Sequence, residues 1–172
     1  MLDKLLDEKI KAYPDFPKKG IMYRDVLPIL SYPDLFSRLI DEMSDAVIYK
    51  HCDSIIAVDA RGFIFGSAIA NTVKKPLILA RKKNKLPGLV IEKSYGLEYG
   101  KDTLCVQSSA IKSYNKFVIV DDLLATGGTA QCIIDILNSN NKEILALSVI
   151  IELTELNGSS NLGIPVYSEI KY

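Results

Sequence analysis

The chain has 172 residues, 48% of them hydrophobic, and its 21 Lys and Arg cancel 21 Asp and Glu to a formal net charge of zero. This is ordinary composition for one globular domain, without the weak hydrophobicity of a disordered chain or the bulk positive field of a nucleic-acid binder. Three scattered cysteines (Cys52, Cys105, Cys132), no CxxC pair and a lone His51 argue against a Cys/His zinc cluster and fit a reducing compartment. Leu2, Leu5, Leu6 and Ile10 recur at helical spacing, so the first dozen residues are expected to form a helix that stops before Pro14. Met1 to Ile10 is amphipathic and charged, without the apolar core of a signal peptide. Asp15 to Gly20 reads as a turn, and Ile21 to Leu30, broken by Arg24, Asp25 and Pro28, as an ordered loop. Pro33-Asp34 opens a second helix with Leu35, Leu39, Met43 and Val47 on one stripe; His51-Cys52 is its exit region.

From there the pattern changes. Ser54 to Val58 (SIIAV) is a short β-branched run and predicts a buried strand. Asp59-Ala60-Arg61-Gly62 follows as a turn and Phe63 to Val73 as a helix. Pro76 to Ala80 is the next strand, and Arg81 to Lys101 a long polar stretch holding Gly88, Gly96 and Gly100. Thr103 to Gln107 alternates like a strand. Phe117 to Val120 (FVIV) is another buried strand, followed by a Gly-rich turn, a helix from Thr129 to Leu137 and a strand from Glu143 to Ile151. That last apolar run is interrupted by Ser148 and far too short to cross a bilayer. The tail from Asn157 reads as loop, with a final strand near Pro165 to Ile170. No partnership with a membrane is expected, and the protein is expected to be soluble and cytoplasmic.

Strand, turn, helix, strand recurs at least twice, which predicts an α/β fold with a mainly parallel sheet flanked by helices. Ligands in such sheets bind where strand ends feed helix starts. Three segments should meet there: Asp59 to Gly62, Arg81 to Lys85, and Asp121 to Thr129.

The last of these carries the most chemistry. Two adjacent acids, Asp121 and Asp122, stand at the tip of a buried strand, a costly placement unless a ligand or cation uses them. Ala125-Thr126-Gly127-Gly128-Thr129 then opens a helix, so free backbone N–H groups and two hydroxyls converge on one spot suited to a phosphate. The segment lacks the Gly-Lys-Ser/Thr of a Walker A loop and the GxGxxG dinucleotide fingerprint. Acceptors for hydroxyls beside donors for a phosphate match a ribose 5-phosphate. A bare Thr-Gly-Gly-Thr would be an ordinary helix cap; the Asp-Asp pair on a buried strand is what favours a ligand.

Val118 to Thr129 (VIVDDLLATGGT) resembles the 5-phosphoribosyl 1-pyrophosphate (PRPP) motif of the type I phosphoribosyltransferases, and its Leu-Leu-Ala-Thr-Gly-Gly-Thr ending resembles the adenine-specific branch. Four further blocks agree in family order. Phe16 to Asp25 resembles the base-binding stretch, and Asp59-Ala60-Arg61-Gly62-Phe63 the pyrophosphate loop. Arg81 to Gly88 and Leu97-Glu98-Tyr99-Gly100 resemble the two ends of a mobile catalytic loop. The resemblance spans nearly the whole chain. It implies one domain of residues 1–172, with a small N-terminal hood (about 1–32, joined by the tail) and a mobile loop (about 81–101).

The resemblance also implies roles. Asp121, Asp122, Ala125, Thr126, Gly127, Gly128 and Thr129 would bind PRPP and AMP; Met22, Tyr23 and Arg24 would line the adenine pocket. Arg61, with Arg81, Lys82 and Lys85, would bind pyrophosphate, as arginine's fork and a local cation cluster suit. Catalytic roles fall to Arg61, Glu98 and Tyr99, Glu98 being either a proton-transfer group toward the base or a solvent-facing loop acid. The basic segment would reach into the site of a second copy, so a homodimer is implied. Asn84 stands where the family usually has glycine. Magnesium would ride on PRPP, without a dedicated protein site. The implied reaction is purine salvage: adenine plus PRPP gives AMP plus pyrophosphate. A phosphoribosyltransferase for hypoxanthine, guanine or orotate, a non-catalytic PRPP-binding regulator, and an unrelated phosphosugar enzyme on a doubly wound sheet stay open as alternatives. No nucleic-acid partner is implied, since no stacking aromatics interleave the basic run.

Overall fold

The structure, a computed structural model, describes residues 2–97 and 100–172. Helix α1 (Leu2–Lys9) buries Leu2 and Leu6, and the chain then turns into ribbon β1 (Lys11–Pro14) and β2 (Met22–Asp25). The helix expected over the first dozen residues therefore ends earlier. Pro14 cannot continue it, and residues 11–14 pair antiparallel with 22–25 instead. Ile10 is nonetheless buried. A 3-10 turn (Leu27–Ser31) leads to α2 (Pro33–Ser44) and α3 (Ile48–His51). Leu39 and Met43 of the predicted stripe are buried, but Val47 lies beyond α2 and is exposed.

The apolar runs build the sheet. Strand β3 (Ser54–Val58) is buried throughout, followed by α4 (Gly62–Val73) and β4 (Leu77–Lys82). The polar stretch expected after Ala80 is not loop throughout: β5 (Val90–Leu97) forms a long antiparallel hairpin with β6 (Gly100–Gln107). Ile91 and Tyr95 of β5 pack on the core; Lys93 shares their face and reaches Asp135 at 3.3 Å, while the exposed Glu92 points to the other face. Asn84, in the β4–β5 connection, adopts the left-handed φ of 63° that asparagine tolerates. Then come α5 (Ser108–Lys112), β7 (Lys116–Val120), β8 (Leu123–Leu124), α6 (Gly128–Ser139) and β9 (Glu143–Glu152). A 3-10 turn (Thr154–Leu156), α7 (Gly158–Leu162) and β10 (Val166–Lys171) close the chain. The tail read as loop thus contains a short helix before its strand.

The sheet order is β10-β9-β7-β3-β4-β6-β5, with β8 pairing on β9. Strands β10, β9, β7, β3 and β4 run parallel; β6 runs antiparallel to β4, and β5, antiparallel to β6, returns to the direction of the parallel set. Two apolar layers cover the two faces, one built around α1, α2 and α4, the other around α6. The chain leaves β3 toward β4 on one side and returns to β7 on the other, so a crevice opens above the carboxyl ends of β3 and β7. Among the described residues no helix is long and apolar enough to cross a membrane.

Candidate active site

A cleft of about 700 Å³ lies over that switch point. Its floor is the turn after β7. Asp121 N donates to Ser148 O at 3.1 Å, and the N–H groups of Ile150 and Ile151 both donate to Asp122 O, at 3.2 and 3.1 Å. The pair of acids is thus sewn to β9 by its backbone, leaving the carboxyls to face the cleft. Burial, then the neighbouring Asp122, pushes the Asp121 carboxyl well above its ordinary value. Burial also raises Asp122, with Arg61 acting against the rise. Arg61 Nε stands 2.9 Å from Asp122 Oδ2, yet no N–H is aimed along that line, so the buried oxygen has ionic company but no hydrogen-bond donor.

The cradle follows. Gly127 takes φ of 90° and caps α6 without any side-chain hydrogen bond, leaving the first amides of the helix unclaimed by the protein's side chains. Its underside is packed shut: a Cβ on Gly158 would stand 2.1 Å from Ala125 O. Only glycine lets α7 lie this close under the turn. A twelve-residue helix whose N-terminus opens into a cleft is an anion site by backbone geometry and dipole together.

Arg61, just ahead of α4, joins the floor to the opposite wall. Its Nη1 donates to the Tyr23 hydroxyl, and its guanidinium lies 5.3 Å from the Tyr23 ring centre. Tyr23 is braced edge-on by Phe16, with ring centres 5.1 Å apart. Met22, Tyr23 and Arg24 all line the cleft, with Met22 the most exposed of the three. The peptide between Asp59 and Ala60 is cis, and Asp59 Oδ2 accepts from Arg81 Nε at 3.1 Å.

The basic cluster divides. Among the described residues, the cleft wall includes Lys82 but neither Arg81 nor Lys85. Arg81 is turned onto Asp59, and Lys85 is exposed on the β4–β5 connection. Lys82 Nζ pairs with Asp102 Oδ2 at 3.0 Å, which raises the lysine and, against the effect of burial, lowers the acid. Glu98 and Tyr99 lie outside the described residues. Sequence reading missed Asp102 and Tyr95, which face the cleft from the β5–β6 hairpin beside the cradle. Only the strand register, which sets Tyr95 opposite Asp102, brings these two together. Glu155 and Leu156 at the cleft edge were missed as well, because nothing local marks a 3-10 turn after β9 as a site wall.

Comparison with known proteins agrees with this architecture. Residues 31–159 match the phosphoribosyl transferase domain family. An adenine phosphoribosyltransferase of Prochlorococcus marinus is 53% identical over 172 residues, covering 100% of both chains. The crystal structure of adenine phosphoribosyltransferase from Thermoanaerobacter pseudethanolicus superposes with a TM-score of 0.93 at 36% identity, covering 100% of each chain. That of Saccharomyces cerevisiae, complexed with an imino-altritol bisphosphate and adenine, gives a TM-score of 0.91 at 34% identity over 98% of each chain. With a family match across three quarters of its length, and relatives alike from end to end, the chain belongs to the phosphoribosyltransferase family, in its adenine phosphoribosyltransferase branch.

Proposed function

We propose that this cleft transfers the 5-phosphoribosyl group of PRPP to adenine, giving AMP and pyrophosphate. The observation that carries the reading is one juxtaposition: the half-buried Asp121 and buried Asp122, a helix start without a side-chain cap and an arginine meet at a single switch point, beside an aromatic wall. The amides from Ala125 to Thr129, with the Thr126 and Thr129 hydroxyls, would hold the 5′ phosphate. Asp121 and Asp122 would accept from the ribose hydroxyls; bonds to charged groups of this kind contribute roughly 1.5–3 kcal/mol each. Arg61 and Lys82 would face the pyrophosphate. Met22, Tyr23 and Arg24 would form the base wall, consistent with the adenine in the yeast relative's complex. Glu98 and Tyr99 are proposed to act at the base as the lid segment closes over it.

The residues suit magnesium as a passenger on PRPP. Asp121 and Asp122 offer hard oxygen donors, and one buried carboxylate oxygen lacks a hydrogen-bond donor. The ion would neutralise charge growing on the departing pyrophosphate. The protein's own work is positioning and charge placement: the cradle fixes one end of the sugar phosphate, the acids orient the ring, and Arg61 waits at the leaving side.

We also read the chain as one unit, with a hood of about residues 1–32 plus the tail and a mobile loop of about 81–101, working as a cytoplasmic homodimer. The exposed Lys85 and the 86%-exposed Leu89 support the dimer, since both project on the β4–β5 connection. Three free, buried cysteines fit a reducing compartment. The test is an assay with PRPP and magnesium, reading nucleotide by chromatography, with adenine, guanine, hypoxanthine and orotate in parallel. AMP from adenine alone is the expected result. Nucleotide from another base would reassign the base wall, and PRPP binding without turnover would turn the reading toward a regulator.

A further inference from the structure

Among the described residues, ribbon β1–β2 has no third strand. Its four residue pairs run from Lys11–Asp25 to Pro14–Met22, and its residues are exposed or half-buried. A lone two-stranded ribbon is marginal in water, so contacts from outside must fix where Met22, Tyr23 and Arg24 stand. Tyr23 is held through Arg61. Arg24 has a different hold: its guanidinium carbon lies 3.8 Å from the ring centre of Tyr172, within cation–π range.

Tyr172 is tied down on three sides. Its hydroxyl donates to Asp7 Oδ1 at 2.6 Å, reaching α1, whose Leu2 and Leu6 are buried in the core. Its backbone N–H donates to Glu152 O at 2.9 Å, and its carbonyl accepts from Thr154 N and Thr154 Oγ1, both at 2.7 Å. Burial, then Asp7, raises the phenol to about 12, so it stays a donor at any ordinary working pH. Arg24 is consequently stacked on a ring that cannot easily shift.

We propose that Tyr172 is a positioning residue of the base pocket: its ring, anchored to α1 through Asp7 and to the end of β9 through Glu152 and Thr154, seats Arg24 and so sets the backbone of Met22–Arg24 that faces the base. This rests on the reading that the β2 wall takes adenine. Tyr172 touches no reacting atom. It acts by removing freedom from a strand that has too few partners of its own.

The test compares Tyr172→Leu and Tyr172→Phe in the full chain, measuring KM for adenine, KM for PRPP, and amide hydrogen exchange over residues 22–25. Tyr172→Leu should raise the adenine KM about tenfold, the order of a lost cation–π contact and its anchor, with the PRPP KM within about twofold and faster exchange in the ribbon. Tyr172→Phe keeps the ring and loses the Asp7 bond, so an adenine KM raised about two- to threefold is expected. Unchanged adenine KM and exchange in Tyr172→Leu overturns the proposal. So does a rise in both KM values together, which would make Tyr172 a general brace. If Tyr172→Leu fails to fold, Tyr172→Phe and Asp7→Ala carry the test: both remove the same bond and must give the same small adenine-specific rise. Should the unaltered chain use no adenine, the base reading fails, while the exchange comparison still decides whether Tyr172 seats the ribbon.

Discussion

The two walls of the cleft are built by different means. The wall proposed to hold the phosphate and ribose is an extension of the core: β7 is buried from Phe117 to Val120, Asp122 is sewn to β9, and α7 closes the cradle from beneath. The wall proposed to face the base is a four-pair ribbon held at its two inner β2 positions by single side chains, Tyr23 on Arg61 and Arg24 on Tyr172. On the proposed reading, a site rigid at one end and tethered at the other would hold the phosphoribosyl group by architecture and select its base by a few contacts. Damage to the packing of the first wall should therefore cost stability together with PRPP affinity. Damage to the second should change base handling and leave the fold almost untouched.

The largest expected effect tests the first wall. Gly158→Ala drives a methyl into Ala125 O, and an overlap of this kind costs about 3 kcal/mol. At roughly 2–4 °C per kcal/mol, the melting temperature should fall by about 6–12 °C, with a raised KM for PRPP. A melting temperature within about 2 °C of the parent would show that the cradle yields more easily than its packing implies. Next is Asp122→Asn, which should raise the PRPP KM about ten- to a hundredfold and the adenine KM by less than about threefold. Equal changes in both would erase the distinction between the walls.

A smaller effect concerns pH. Asp121 and Asp122 both titrate higher in the fold than in the unfolded chain, where aspartate has a pKa of about 3.9. Between those values the native state holds more protons, so stability falls as pH rises through the window. Asp121→Asn removes part of that penalty. It should raise the melting temperature of the ligand-free protein by about 3 °C at pH 8, with no gain near pH 4, while weakening PRPP binding. A loss of stability at pH 8 would mean that the buried acid is well paired without its ligand. Smallest is Tyr23→Phe, which removes one bond to Arg61 on the second wall. Activity with adenine should fall by about fivefold in kcat/KM, with the melting temperature moved by less than about 2 °C.

The same contrast governs what could be read from the amino acids. Strand β3 matches its predicted limits, and β4, β7 and β9 match theirs within two residues, because dense apolar, β-branched runs announce buried parallel strands. The Asp-Asp and Gly-Gly turn was legible for a related reason: charge and glycine are conspicuous directly after such a run. The ribbon β1–β2 was not, since four exposed residues ending in a proline carry no periodicity to detect. Strand β5 hid behind its own glycine, serine and charges; among its described side chains, Ile91 and Tyr95 are the ones that pack on the core. Pairings such as Lys82 with Asp102, or Arg24 with Tyr172, depend on where distant strands end, which no local pattern encodes.

Arg61 belongs to both walls at once, donating to Tyr23 on one side and paired with Asp122 on the other. A group shared in this way makes each substrate a witness to the other. If a pyrophosphate claims the guanidinium, the Tyr23 hydroxyl loses its donor, and the base meets an altered wall. By thermodynamic reciprocity, whatever factor PRPP imposes on the affinity for adenine, adenine imposes on the affinity for PRPP. The coupling between the two substrates then runs through one side chain, and a change of base preference obtained by altering Tyr23 would be registered at the far end of the sugar.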